Sequence, residues 1–294
     1  MAIETTQLQA RLEAIARTAS GRLGLAIHDL DDDEVTVGVG AEQLLPTASV
    51  IKVPIMLEAL RQSEQRKLDL QTTVTVPGSE QLGGSGILKA FQPGVDVRLI
   101  DAVTLMIVLS DNTATNIVLD AIGGVAPVNA ALDELGCTDV RLHNRIDFEL
   151  IGPDVRRLGE ATPLGLSALL HRIGRRTAFS PEVSQRAEAV LAQQQYLDQF
   201  PRYFDMNPYW RELGATPTVE VACKTGFFTG TRVDAGIVRV PGTQRGFAYA
   251  VMNHEFTDET FLPEAEGAVV NGLIGREVLT AWWPQGPAPV VAVR

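Results

Sequence analysis

Ser49-Val50-Ile51-Lys52-Val53-Pro54-Ile55-Met56-Leu57-Glu58-Ala59-Leu60 is apolar at almost every position, with a serine at its start and a lysine one turn later. Such a run reads as a helix buried on all sides, from Ser49 to about Glu64, and not as an amphipathic surface helix. Pro54 lies deeper than the first turn, where proline is best tolerated, so the helix is expected to begin irregularly. Burial decides what the two polar residues can do. Lys52 projects to the same side as Ser49, and a lysine taken out of water gives up its proton more readily. A helix N-terminus also offers main-chain N–H groups to a developing oxyanion. Taken alone, Ser-x-x-Lys reads more simply as a capping serine followed by a lysine whose stem lies along the surface.

Working outward, residues 4 to 18 carry Leu8, Leu12, Ile15 and Ala16 at helical spacing, and Gly21 ends the pattern. Arg22 to Leu30 and Glu34 to Gly40 alternate around Asp31-Asp32-Asp33, which predicts a β-hairpin with a solvated acidic turn. Residues 99 to 110 and 112 to 122 read as helices meeting at Ser110-Asp111-Asn112, the second closed by Gly123-Gly124. Thr162-Pro163 and Ser180-Pro181 each pair a capping residue with proline at the first helical position. Between these, Arg141 to Ala161 has mixed charge and no sustained period, and reads as a long surface loop. After residue 217 the period changes. Val219 to Cys223, Val233 to Val240 and Phe247 to His254 read as strands, followed by an amphipathic helix from Pro263 to Trp282 and a tail from Pro284 with few structure signals.

This order predicts an α/β (α+β) fold. An antiparallel sheet flanked by helices is assembled from residues 1–46 and 197–294, and an all-helical lobe from 47–196.

The bulk properties narrow the function. With 294 residues, 45% hydrophobic and 21% charged, the chain can bury a sizeable core. A net charge of -11 argues against nucleic acid or anionic lipid as partner. The longest apolar stretches, around Val103–Leu109 and Phe247–Met252, fall far short of the about 20 residues of a membrane span, so no membrane partner is expected. The start Met1-Ala2-Ile3-Glu4-Thr5-Thr6 lacks the pattern of a secretory signal, so the chain as written is expected in the cytoplasm, or in the periplasm or outside the cell if a leader was removed. Cys137 and Cys223 are too few for a disulfide framework and read as reduced and structural. His28, His143, His171 and His254 share no spacing that suggests a metal site or a Ser-His-Asp triad, so no metal and no cofactor are expected.

Two further motifs change the weight given to Ser49 and Lys52. Ser110-Asp111-Asn112 stands at the break between two helices, and Lys224-Thr225-Gly226 is expected to close the strand that begins at Val219. The ordered set Ser-x-x-Lys, Ser-Asp-Asn, Lys-Thr-Gly resembles the class A β-lactamase superfamily, including its β-lactamase-related serine hydrolases. The likeness runs over roughly residues 20 to 282 and extends to Gly84-Ser85-Gly86-Ile87-Leu88 and to the stretch from Leu105 to Asn116. It implies a β-lactamase/transpeptidase-like fold with the active site in the cleft between the sheet domain and the helical lobe, and a small-molecule β-lactam, ester or amide substrate. It also implies roles: Ser49 as nucleophile, Lys52 as base or relay, and Ser110 as proton donor to the leaving nitrogen. Asn112 would hold the substrate amide, Lys224 and Thr225 its carboxylate, and the N–H groups of Ser49 and Phe227 the oxyanion. Arg232 would be a second carboxylate anchor or part of a surface salt bridge.

The sequence departs from the family in two places. Taking Arg145 as the loop's arginine puts Asp147 where class A enzymes carry a water-activating glutamate and Ile151 where they carry an asparagine, with Glu149 two residues beyond Asp147. Either acid is a candidate for activating water, or both pair with Arg141, Arg145 or Arg156 to pin the loop. Phe227-Phe228 also stands where efficient β-lactamases carry small residues, which predicts a reshaped pocket suited to an apolar acyl group. The leading expectation is β-lactam hydrolysis through acyl-Ser49 with slow deacylation. A carboxylesterase, a D-alanyl peptidase and a penicillin-binding sensor without turnover are the alternatives.

Overall fold

Both ends of the chain feed one antiparallel sheet. The computed structural model describes residues 5–32, 35–210, 212–243 and 245–283, so Glu34 and the tail from residue 284 lie outside the described residues. Strands β1 (Arg22–Asp29), β2 (Val35–Val39), β3 (Glu220–Phe228), β4 (Thr231–Arg239) and β5 (Gly246–His254) pair in the order β2-β1-β5-β4-β3. Register puts Arg22 opposite His254, Gly246 opposite Arg239 and Phe227 opposite Arg232.

Period-two alternation gives the sheet two different faces. Leu25, Ile27, Cys223, Phe247, Tyr249 and Val251 pack with helix α1 (Thr5–Ala16) and the C-terminal helix (Glu266–Trp282). Ala222, Val233, Ala235, Ile237, Ala248, Ala250 and Met252 face the other way, into a core shared with the helices of residues 52–191. Small residues on that second face let helices approach the sheet closely. Helix α2 (Lys52–Glu64) runs through this core with every residue from Lys52 to Leu60 buried, as expected for a helix apolar all round. Its start is irregular, a 3₁₀ turn over Ala48–Ile51 leading into the α-helix.

Helix α3 (Leu99–Val108) and helix α4 (Asn112–Ala121) meet at Ser110-Asp111, the break read from sequence. Three features differ from the sequence reading. Lys224-Thr225-Gly226 lies inside β3, which continues to Phe228 instead of closing at Cys223, because Thr225 to Phe228 stay in register with β4. Helix α5 (Val125–Glu134) follows the Gly123-Gly124 stop, hidden from pattern reading by its proximity to α4. The Arg141–Ala161 loop carries the four-residue helix Phe148–Ile151 and is tied at both ends by short strands, Val140–Leu142 and Gly159–Ala161, which pair with each other. Among the described residues no single helix is long and apolar enough to cross a membrane, and no three metal-ligating side chains come together.

Candidate active site

The site forms where the start of α2, the α3–α4 junction and β3 converge. Ala48 adopts a left-handed φ of 43° immediately before Ser49, a sparsely populated conformation for a residue with a Cβ. Strand β3 lies directly against this turn: a Cβ on Gly226 would stand 2.8 Å from the Ser49 main-chain nitrogen and 3.0 Å from the Ala48 Cβ. Only glycine admits that approach, which is the physical reason for the third residue of Lys-Thr-Gly. Ser49 itself is half-buried and lines the pocket.

Lys52 is completely buried, and its Nζ donates to the Ser110 carbonyl at 2.7 Å, to Ser110 Oγ at 3.1 Å and to Asn112 Oδ1 at 2.9 Å. Ser110 can offer both oxygens because it, too, sits in the left-handed region, at φ 54°. Burial, and then the positive charge of Lys224, drive the Lys52 amine well below the usual lysine range, with Asp111 opposing. The apolar residues of the same helix make this burial affordable, since each fully buried Val, Ile or Leu contributes about 2 kcal/mol.

Asp111 is structural. Its carboxylate accepts from Ala114 N–H at 2.9 Å, capping α4, and from Ile87 N–H at 2.6 Å and Leu88 N–H at 2.9 Å. These bonds strap the Gly84-Ser85-Gly86 loop over the junction. A Cβ on Gly86, at φ +106°, would collide with that carboxylate at 2.3 Å. Asn112 Nδ2 donates to the Gly83 carbonyl at 3.0 Å, completing the strap and bringing Ser85 to the pocket.

Lys224 is fully buried, with its amine pushed down to about 7 by burial against the opposing effects of Cys223 and Asp234. Thr225 is equally buried, and its Oγ1 has no hydrogen-bond partner among the described residues. Arg232 is neither a surface ion pair nor a lining residue of the pocket. Its Nη1 donates to the carbonyls of Phe228 and Thr231 at 2.9 and 2.8 Å, its Nη2 donates to the Thr260 carbonyl, and its guanidinium lies 5.1 Å from the Phe261 ring centre. Phe261 in turn meets Phe227 edge-on, and Phe227 meets Tyr196 the same way.

A pocket of about 210 Å³ opens beside Ser49, with Asn112, Ser85 and Gly84 on one side and Phe227, Phe228 and Phe261 on another. The loop wall is apolar: Ile146, Phe148, Ile151, Val155 and Leu158. Asp147 and Glu149 are not brought to it. Asp147 Oδ1 accepts from the N–H groups of Glu149 and Leu150 at 2.9 and 3.1 Å, capping the Phe148–Ile151 helix, while Glu149 is exposed. The arginines expected to pair with them pair elsewhere, Arg141 with Asp133, Arg145 with Asp120 and Arg156 with Glu160 and Glu255. The loop is held by Asn116, whose side chain accepts from Ile146 N–H at 3.0 Å and donates to its carbonyl at 2.9 Å.

Pattern reading missed the lining residues Ile146, Phe148, Ile151, Val155, Leu158 and Phe261. Apolar side chains within a charged loop were the available signal, and Phe261-Leu262, two exposed apolar neighbours in a turn, was another.

The sequence profile of the β-lactamase enzyme family matches residues 7–282. The chain belongs to the β-lactamase enzyme family. Similar members include β-lactamase CARB-3 of Pseudomonas aeruginosa, 27% identical over 195 residues that make up 64% of this chain and 65% of the relative. A β-lactamase of Citrobacter koseri is 29% identical over 191 residues, 64% of this chain and 62% of the relative. The match thus spans somewhat less than two thirds of the length of these curated β-lactamases. Among solved structures, a β-lactamase from Sphaerobacter thermophilus DSM 20745 superposes with a TM-score of 0.81 at 24% identity, covering 97% of this chain and 100% of that one. PBP-A superposes with a TM-score of 0.79 at 24% identity, covering 95% of this chain and 97% of that one. At these identities the solved structures establish a shared β-lactamase fold.

Proposed function

We propose that this family member is a serine hydrolase that opens β-lactam rings through an acyl-Ser49 intermediate and releases the acyl group slowly. The observation that carries the reading is Lys52: a fully buried amine with a depressed proton affinity, bonded to Ser110 and Asn112 one helical turn from Ser49. Once unprotonated, Lys52 donates to only two of its three acceptors on Ser110 and Asn112, and its freed lone pair takes the Ser49 hydroxyl proton as Oγ bonds to the lactam carbonyl carbon. The N–H groups of Ser49 and Phe227 hold the resulting oxyanion. Collapse breaks the C–N bond, and the proton passes from Lys52 through Ser110 Oγ to the leaving nitrogen. Asn112 holds the side-chain amide of the substrate, and Lys224 with the unpartnered Thr225 hydroxyl binds its carboxylate.

Release requires water to attack the ester. No Asp or Glu lines the pocket among the described residues, and its loop wall is apolar, which supports slow release. The same lining favours a second reading, hydrolysis of esters of apolar acids, because no charged side chain lines the pocket among the described residues.

Mass spectrometry of the protein mixed with penicillin G, and separately with a short-chain nitrophenyl ester, tests both. A penicilloyl adduct on Ser49 that decays over minutes, absent in Ser49→Ala, is the expected outcome. Turnover of the ester with no reaction toward penicillin G would replace the lactamase reading with the esterase one. A permanent adduct would make the protein a sensor, and no adduct from either reagent would remove Ser49 as nucleophile.

A further inference from the structure

The carbonyl of Gly226 and the N–H of Phe227 belong to one planar peptide unit, so whatever fixes the carbonyl also aims the N–H. That carbonyl accepts a hydrogen bond from Gln199 Nε2 at 3.2 Å, and Gln199 is only 2% exposed. Gln199 Oε1 accepts from Asn271 Nδ2 at 3.0 Å, Asn271 Oδ1 accepts from Asn253 Nδ2 at 2.9 Å, and Asn253 Oδ1 accepts from the Arg232 main-chain N–H at 2.8 Å. Asn253 and Asn271 are buried as well. A chain of three side-chain amides therefore starts on the β4 backbone at Arg232 and ends on the peptide that precedes Phe227, the residue opposite Arg232 in the sheet. Each amide uses its oxygen to accept from the group upstream and its nitrogen to donate downstream, so every orientation is set by the next.

The main chain at Gln199 is itself pinned. Phe200 N–H donates to Asp234 Oδ2 at 3.1 Å, and Tyr249 holds the other oxygen of that buried carboxyl at 3.0 Å. The C-terminal helix approaches so closely that a Cβ on Gly275 would stand 2.0 Å from the Phe200 carbonyl oxygen. Three buried amides are an expensive way to tie two elements together, since each polar atom must find a partner. Apolar packing would serve that purpose as well; donating to a chosen carbonyl it would not.

We propose that Gln199 is a positioning residue for the oxyanion-binding peptide, holding the Gly226–Phe227 unit in the orientation that presents the Phe227 N–H to the oxyanion and polarising it through its carbonyl. The Asn271–Asn253 pair keeps the Gln199 amide turned the right way. This inference rests on the reading that Ser49 is acylated with Phe227 N–H as one of the two oxyanion donors. Loss of a whole oxyanion donor costs about 10²–10³ in rate, so weakening one is expected to cost about 10-fold.

The test uses the full chain, penicillin G and two variants. Gln199→Leu removes the donor, and Gln199→Glu keeps the shape but donates to the carbonyl only while protonated. The expected result for Gln199→Leu is an acylation rate constant lowered about 10-fold, a non-covalent dissociation constant for penicillin G that stays near the wild-type value, and an acyl-enzyme ester carbonyl stretch moved to higher wavenumber in the infrared. Gln199→Glu is expected to approach wild-type acylation at acidic pH and to fall toward the Leu variant as pH rises, which keeps the idea open to refutation if the Leu variant does not fold. An unmoved carbonyl stretch with an unchanged acylation rate constant in a folded variant overturns the proposal. Absence of any penicilloyl adduct on the wild-type chain overturns the underlying reading instead.

Discussion

On one side of the pocket, Lys52, Ser110 and Asn112 are buried, joined by short hydrogen bonds and carried by α2 and the α3–α4 junction, with Lys224 buried close by on β3. On the other side, the Arg141–Ala161 segment faces Ser49 with Ile146, Phe148 and Ile151, and turns Asp147 onto its own backbone and Glu149 to solvent. On the proposed reading, the first wall holds the groups that acylation uses. The second lines the pocket with apolar side chains and, among the described residues, brings no Asp or Glu to it. An enzyme with these two walls is expected to be quick to acylate and slow to turn over, because acylation draws on pre-aligned buried groups while deacylation needs a water held by a carboxylate that the loop does not bring in.

The largest expected effect tests the first wall. Lys52→Ala should lower the acylation rate with penicillin G by about 10³-fold, within the range typical of a lost general base. Stopped-flow kinetics with mass detection of the adduct would read it, and a loss below tenfold would break the contrast by showing that another group accepts the Ser49 proton.

Next comes pH. The Lys224 amine, pushed down to about 7, loses its charge above that pH. The apparent KM for carboxylate-bearing penicillin G should therefore rise above pH 7, by up to about 10-fold per unit. That of a neutral nitrophenyl ester should stay flat, and Lys224→Arg should remove the difference. The linked stability change has the opposite sense. Between about pH 7 and the ordinary lysine value of 10.5, the unfolded chain binds the proton that the folded chain has lost, so stability rises with pH across this window.

The second wall is probed by Asp147. Asp147→Asn keeps an oxygen for the two N–H groups it caps and should leave both turnover and stability near wild type. Asp147→Ala should cost about 1 kcal/mol of stability in urea unfolding, again with turnover retained. A large turnover loss in Asp147→Asn at unchanged stability would make the loop acid catalytic and erase the difference between the walls.

The last effect lies far from both walls and leaves catalysis untouched. His28, packed 5.2 Å ring to ring against His171, has its proton affinity lowered to about 4 by burial and then by His171. The unfolded chain takes up this proton near pH 6.5 and the folded chain resists it, so stability should fall as pH drops from about 6.5 to about 4. His28→Gln should flatten that limb of the thermal-unfolding profile.

Much of the first wall is legible in the sequence. Lys52 follows Ser49 by one turn, so helical periodicity alone places them together, and the apolar run from Val50 to Leu60 forces Lys52 into the core where its proton affinity falls. Ser110 and Lys224 could be assigned because their motifs follow in a recognisable order, each at a break or strand that local pattern reveals. What the pattern could not supply was distance across the chain. Gln199, separated from Gly226 by 27 residues, carries no motif, and its relation to Phe227 exists only because Asp234 and the glycines of the C-terminal helix bring the segments together.

The loop shows the same division most clearly. From the amino acids alone, Asp147 and Glu149 stand as candidate water activators or as partners of the loop arginines, since they are the acids nearest the position where the family carries its glutamate. Whether a carboxylate reaches the pocket depends on which way the backbone is turned, and that was decided by Asn116 gripping Ile146 and by Asp147 capping the helix that follows it. Sequence by itself determined that Ser49 and Lys52 stand together, the pair proposed as nucleophile and base, because both lie within one turn at the start of one buried helix. Only the tertiary structure decided the character of the opposite wall, because a loop without periodicity takes its direction from hydrogen bonds to residues remote in the chain.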